Sequence, residues 1–256
     1  MRIELAGQPG DSGRPNEDFA AVALPASGTG GALVVLDGVT PPARGTGCVH
    51  GVPWFTTRLG TTLLELAAGE RRMPLGACLS EAVARTAQAH RDTCDLSARL
   101  TPQATVVAVR WDAEVVEHLV LSDSVLLLEG SDGEVRAVLD DRLDRLVALG
   151  PVTDDQRNVE GGFFTAAADP GVAARAVTGT TARGHVRALA ALTDGASRWV
   201  EVFREGAWAE CFALLAKEGP QALVERVRQA EAADAQCRAF RRGKPHDDAT
   251  AVYVQL

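Results

Sequence analysis

Residues 32–39 read ALVVLDGV and residues 188–195 read ALAALTDG. Each begins as an apolar run fit for a buried strand and stops at Asp-Gly, at Asp37-Gly38 and again at Asp194-Gly195. A carboxylate at the tip of such a strand is costly unless water, a hydrogen-bond donor or a cation meets it. One ending of this kind is a turn; two ask for a common cause.

Other β-branched, apolar runs lie at 19–24, 105–111, 115–121, 125–128, 135–139, 186–192 and 250–254. The turns WDAE (111–114) and EGSDGE (129–134) are short enough for antiparallel hairpins. Between the strands, helical spacing aligns Leu59, Leu63 and Leu66, then Leu75, Leu79 and Ala82. It recurs with Trp208, Cys211 and Leu215, then Leu223, Val227 and Ala230, with Gly219-Pro220 separating the two segments. Helices in pairs, segregated from hairpins, give an α+β fold in which helix pairs cover two packed, mainly antiparallel sheets. A single domain over 1–256 is expected, since neither an internal repeat nor a low-complexity tract divides the chain.

Hydrophobic residues make up 46% of the 256 and aromatics only 5%, so Ala, Val and Leu must build the core. The net charge of -8 argues against nucleic acid and anionic membranes as partners. No apolar run reaches the roughly 18 residues of a membrane span, and MRIELAGQPG does not read as a signal peptide, so a cytoplasmic location is expected. The five cysteines, Cys48, Cys78, Cys94, Cys211 and Cys237, are widely spaced without a C-x-x-C pair, and read as reduced thiols. Oligomeric state is not legible.

Further acids mark element edges: Glu17-Asp18 in RPNEDF, Asp123 in LSDSV and Asp247-Asp248 in HDDAT. Singly, each reads equally well as a turn or helix cap. Together, seven carboxylates converging on one region would repel one another unless cations were bound. Oxygen donors, with no His or Cys at ligand spacing, select Mg2+ or Mn2+ over zinc, and a shared Asp could bridge two ions roughly 3.5 to 4 Å apart. The Gly- and Pro-rich stretch 37–54 follows the first Asp-Gly and would frame such a site.

In order along the chain, RPNED, VVLDG, PQATVVAV, LSDS, LTDG and HDDATAVYV resemble the metal-dependent protein phosphatases of the PPM or PP2C class. The resemblance implies a four-layer αββα sandwich and hydrolysis of phosphate monoesters, foremost phosphoserine or phosphothreonine on proteins, by a metal-activated water. It implies that Asp37 bridges two ions, with the Gly38 carbonyl on one of them. Asp194 and Asp247 complete the first ion's ligands, Glu17 serves the second with Asp18 in support, and Asp123 helps Asp194 hold a weaker third. Arg14 corresponds to the arginine that grips phosphate.

The sequence departs from the family after Asp37-Gly38, where Val39-Thr40-Pro41-Pro42 replaces the usual His-Gly-Gly or Met-Gly-Gly. Water or His50 is then the candidate proton donor, while Asp248 and His246 are candidate supports beside Asp247. The basic run Arg238, Arg241, Arg242 and Lys244 either steers an anion toward the site or is a solvated helix end. A small phosphorylated metabolite as substrate, or a catalytically weak binding module, are the alternatives the altered loop leaves open.

Overall fold

The computed structural model describes residues 1–41 and 45–256, so residues 42–44 of the Gly- and Pro-rich loop lie outside the described residues. In chain order the elements are β1 (Arg2–Gln8), β2 (Phe19–Ala23), β3 (Gly31–Leu36), α1 (Val52–Gly69), α2 (Leu75–His90), β4 (Val106–Trp111), β5 (Val115–Leu121), β6 (Val125–Gly130) and β7 (Val135–Val138). Then follow α3 (Arg142–Leu149), β8 (Val177–Ala182), β9 (Val186–Leu192), α4 (Asp194–Glu201), α5 (Trp208–Glu218), α6 (Pro220–Ala233) and β10 (Ala249–Gln255). Two five-stranded antiparallel sheets result, ordered β1-β10-β9-β6-β7 and β2-β3-β4-β5-β8.

The period of two along each strand divides the core into three layers. In β3, Ala32, Val34 and Leu36 face the α1–α2 pair with Leu59, Leu63 and Leu79, while Leu33 and Val35 face the other sheet. Across that inter-sheet layer stand Leu126, Leu189, Val252 and Val254. On the far side, Leu127, Ala190, Leu192 and Ala251 pack beneath Trp199, Phe212, Leu215 and Leu223 of the second helix group. The order of layers is therefore helix, sheet, sheet, helix. Strands buried on both faces must be apolar, which is why β3 and, after the exposed Arg187, residues 188–192 of β9 lack polar alternation.

Four elements went unforeseen: β1, β8, α3 and α4. β1 and β8 are edge strands, and α3 buries none of its residues. The fourth changes the meaning of an expected site. Asp194 does not end a strand in a loop; it is the first residue of α4, one step beyond Thr193.

Candidate functional site

β3 and β9 lie inside their sheets, each antiparallel to a neighbour on either side, and their C-terminal ends meet. The Asp194 amide, free at a helix start, donates to Asp37 Oδ2 at 3.3 Å. Asp37 is fixed from the other side by Thr105, whose amide donates to the Asp37 carbonyl at 2.9 Å and whose hydroxyl accepts from the Asp37 amide at 3.2 Å. Ser124 braces that hydroxyl at 2.5 Å.

Around this junction opens a cleft of about 650 Å³ lined by Asp37, Gly38, Asp123, Asp194 and Asp247, with Arg157, Arg198 and Lys244 among them. Glu17 and Asp18 approach from the segment before β2. The Thr40 hydroxyl donates to Glu17 Oε2 at 2.5 Å and the Thr193 hydroxyl to Asp18 Oδ2 at 3.0 Å. Asp248 accepts from the amides of Gly10 at 2.8 Å and Glu17 at 2.6 Å, so it clamps the N-terminal segment onto the site.

Both glycines of the Asp-Gly pairs are required by close approach. A Cβ on Gly38 would stand 2.5 Å from the Glu17 carbonyl oxygen, and one on Gly195 would stand 1.9 Å from that of Asp248. Asp37-Gly38 thus admits the Glu17 backbone, and Asp194-Gly195 admits that of Asp248. The repeated punctuation has one cause: at each strand end a second acid-bearing segment is drawn against the first.

The crowding shows in the ionisation of the acids. Burial, reinforced by the charges of Asp194, Asp18 and Asp123, holds the Asp37 carboxyl well above the usual range. Burial and then Asp248 and Asp194 push Asp18 up to about 8. Burial and Asp194 push Asp123 up to about 7. Burial also raises Glu17, and burial with the Asp247 charge raises Asp194. Asp18 Oδ1 is buried without any hydrogen-bond partner. An all-oxygen donor set, an orphaned carboxylate oxygen and mutually raised acids fit a hard divalent cation.

Asp247 behaves differently. Its Oδ2 pairs with Arg198 and its Oδ1 with Lys244, each at 2.8 Å. Arg198 is itself locked by Glu231 at 2.7 Å. Glu231, fully buried, also pairs with Arg228 and meets His246 Nδ1 at 3.1 Å. Among the described residues, no three carboxylates bring one oxygen each within 4.8 Å of one another. The acids ring the cleft without closing on a point, and Asp247 takes cationic partners.

Three expectations about supporting residues are corrected or refined. His50 stands away from the cleft: it is absent from the lining and stacks on Trp54 with ring centroids 3.9 Å apart. His246 rests on Glu231 in a neighbouring groove. Arg14 is exposed, lines that same groove and leans toward Asp11 at 3.8 Å rather than into the acid cleft. Sequence reasoning missed Arg198, although Asp194 and Arg198 stand four apart, the spacing that shares a helix face. It also missed Arg157, whose Nε is buried without a partner at the cleft wall.

No protein-family model and no curated protein sequence matches the chain. Solved structures do. The serine/threonine phosphatase Stp1 from Staphylococcus aureus superposes with a TM-score of 0.65 at 13% identity, covering 100% of this chain and 95% of that one. The Mycobacterium tuberculosis serine/threonine phosphatase PstP/Ppp gives 0.62 at 17%, covering 100% and 98%. The PstP catalytic domain in complex with two manganese ions gives 0.58 at 17%, covering 99% and 97%. The chain has the fold of bacterial PP2C-type serine/threonine phosphatases.

Proposed function

We propose that this chain is a single-domain, metal-dependent phosphatase that hydrolyses phosphate monoesters, with phosphoserine or phosphothreonine on proteins as the leading substrate class. The observation that carries the reading is the junction of Asp37 with Asp194, around which Glu17, Asp18 and Asp123 are gathered by burial and share raised ionisation. Fold likeness to Stp1 and PstP, and the two manganese ions of the latter, support it.

Asp37 and the Gly38 carbonyl, Asp194, Asp247 and Glu17 are the ligands we assign to two Mg2+ or Mn2+ ions, with Asp18 in support and Asp123 beside a weaker third. Bound there, such ions supply Lewis-acid polarisation of the phosphoryl group and a nucleophilic water at neutral pH. The remaining work falls to the protein's own side chains. Lys244 and Arg157 present positive charge to the cleft, and a guanidinium is the planar group that suits phosphate oxygens. Arg14, on the adjoining groove, would meet the phosphate or its carrier at the rim. No histidine lines the cleft among the described residues, and we assign a water as the proton source for the leaving group.

A second reading rests on the ion pairs of Asp247: a chain that keeps its acids apart with Arg198 and Lys244 could be a phosphate-binding module of weak activity. One assay separates the two. Hydrolysis of a chromogenic phosphate ester, followed by phosphopeptides and a panel of phosphometabolites, should need Mn2+ or Mg2+. Binding of a phosphopeptide without turnover at saturating metal would favour the module.

A further inference from the structure

Away from the acid cleft, the α1–α2 hairpin makes a second kind of site. Because α1 and α2 run antiparallel with a short connection, the residues just before α1 come to lie beside those that end α2. Cys48 and His50 occupy the first position, His90 and Cys94 the second. One ligand atom from each lies within 4.8 Å of the other three. Cys48 Sγ is 3.4 Å from His90 Nδ1 and 3.7 Å from His50 Nδ1, and Cys94 Sγ is 3.4 Å from His50 Nδ1. The two sulfurs are 2.8 Å apart.

We infer that Cys48, His50, His90 and Cys94 form a tetrahedral zinc site that pins the loop following Asp37-Gly38 to the end of the helix hairpin. With Zn–S near 2.3 Å and Zn–N near 2.0 to 2.1 Å, a tetrahedral ion places its ligand atoms about 3.3 to 3.8 Å from one another. Three of the four sulfur–nitrogen separations already have that size, the sulfur pair must open by about 1 Å, and the remaining two pairs lie within 4.8 Å. Two thiolates and two imidazoles also match zinc in softness, whereas the acid cleft offers oxygen alone. Binding takes both cysteines as thiolates, and with two neutral imidazoles leaves the site uncharged.

The surroundings are those of a held ligand set. The His50 amide donates to Cys48 Sγ at 3.4 Å, the kind of backbone contact that offsets thiolate charge. Trp54 stacks on His50 and lies 5.2 Å from His90, fixing both rings. The Asp95 amide donates to the Gly47 carbonyl at 2.7 Å and joins the same two segments. A disulfide between Cys48 and Cys94 would account for the sulfurs but would leave two imidazole nitrogens aimed at them without a purpose. The sequence spacing did not disclose the cluster, because Cys48-x-His50 and His90-x3-Cys94 are two pairs separated by a helix hairpin that the fold brings together.

The test begins with the intact wild-type chain, purified under reducing conditions without chelator and dialysed against zinc-free buffer containing Mg2+. Elemental analysis should find one zinc per chain. Replacement by Co2+ should give the intense d–d bands of tetrahedral cobalt together with a thiolate-to-cobalt charge-transfer band. Both signals should vanish in a C48S/C94S variant and persist in D37N/D194N, which separates this site from the acid cleft. A wild-type protein that takes up neither zinc nor cobalt overturns the inference. So does a Cys48–Cys94 disulfide in mapped peptides, or zinc retained in full by folded C48S/C94S.

Discussion

Asp194 illustrates how much one residue is asked to do. It opens α4, gives its amide to Asp37 and carries a carboxyl raised by burial and by Asp247. Asp194→Asn keeps the shape and removes the charge, so the variant should fold, bind Mn2+ less tightly and lose turnover by about 10² to 10³, the scale of a lost electrostatic contact to the transition state. Circular dichroism beside an Mn2+ titration checks this; unfolding with unchanged metal affinity would make Asp194 a structural turn residue. Lys244 gives the complementary case, because its ammonium competes with any cation for Asp247. Lys244→Gln should tighten Mn2+ binding while lowering turnover, measured by calorimetry and steady-state kinetics. If Mn2+ affinity does not rise, Asp247 is not a ligand.

Elements explain what the sequence could and could not disclose. β3 and the 188–192 part of β9 were legible because burial on both faces leaves an unbroken apolar run. β8, VTGTTA, is an edge strand whose exposure alternates, and β1 carries Arg2 and Glu4 on an exposed edge, so neither has the apolar signal of an inner strand. α4 was hidden by its own start, since Asp-Gly reads as a turn until Gly195 is seen pressed against the Asp248 carbonyl. The acids themselves were legible from their places at strand ends; the ion pairs of Asp247 were not, because Arg198 sits on the unforeseen helix. Packing at Gly195 is testable. Gly195→Ala should destabilise the fold by about 1 to 3 kcal/mol, the usual cost of overpacking, and weaken Mn2+ binding by shifting Asp194 from β10. Urea unfolding without a change in midpoint would show that the contact relaxes freely.

On the scale of the molecule, two sheets bring their ends together and concentrate carboxylates where water is scarce, so metal, protons and stability are linked. Asp18 and Asp123 are raised to about 8 and about 7 from an ordinary value near 3.8. Between pH about 4 and about 8 the metal-free folded state therefore binds more protons than the unfolded chain and loses stability as pH rises. Bound cations replace those protons, so the increase in melting temperature caused by Mn2+ should grow across that window. Scanning calorimetry of protein dialysed free of Mg2+ and Mn2+, with and without Mn2+, checks the sign; an increment independent of pH would mean the acids are not the binding groups. The most direct test of the central claim is an Mn2+ titration followed by electron paramagnetic resonance, in wild type and Asp37→Asn. We expect the wild type to take up two Mn2+ ions per chain with the spin coupling of a pair roughly 3.5 to 4 Å apart, and Asp37→Asn to lose the coupled signal with its turnover. A wild type that binds no Mn2+ above nonspecific levels, or an Asp37→Asn protein with the coupled pair intact, would contradict it.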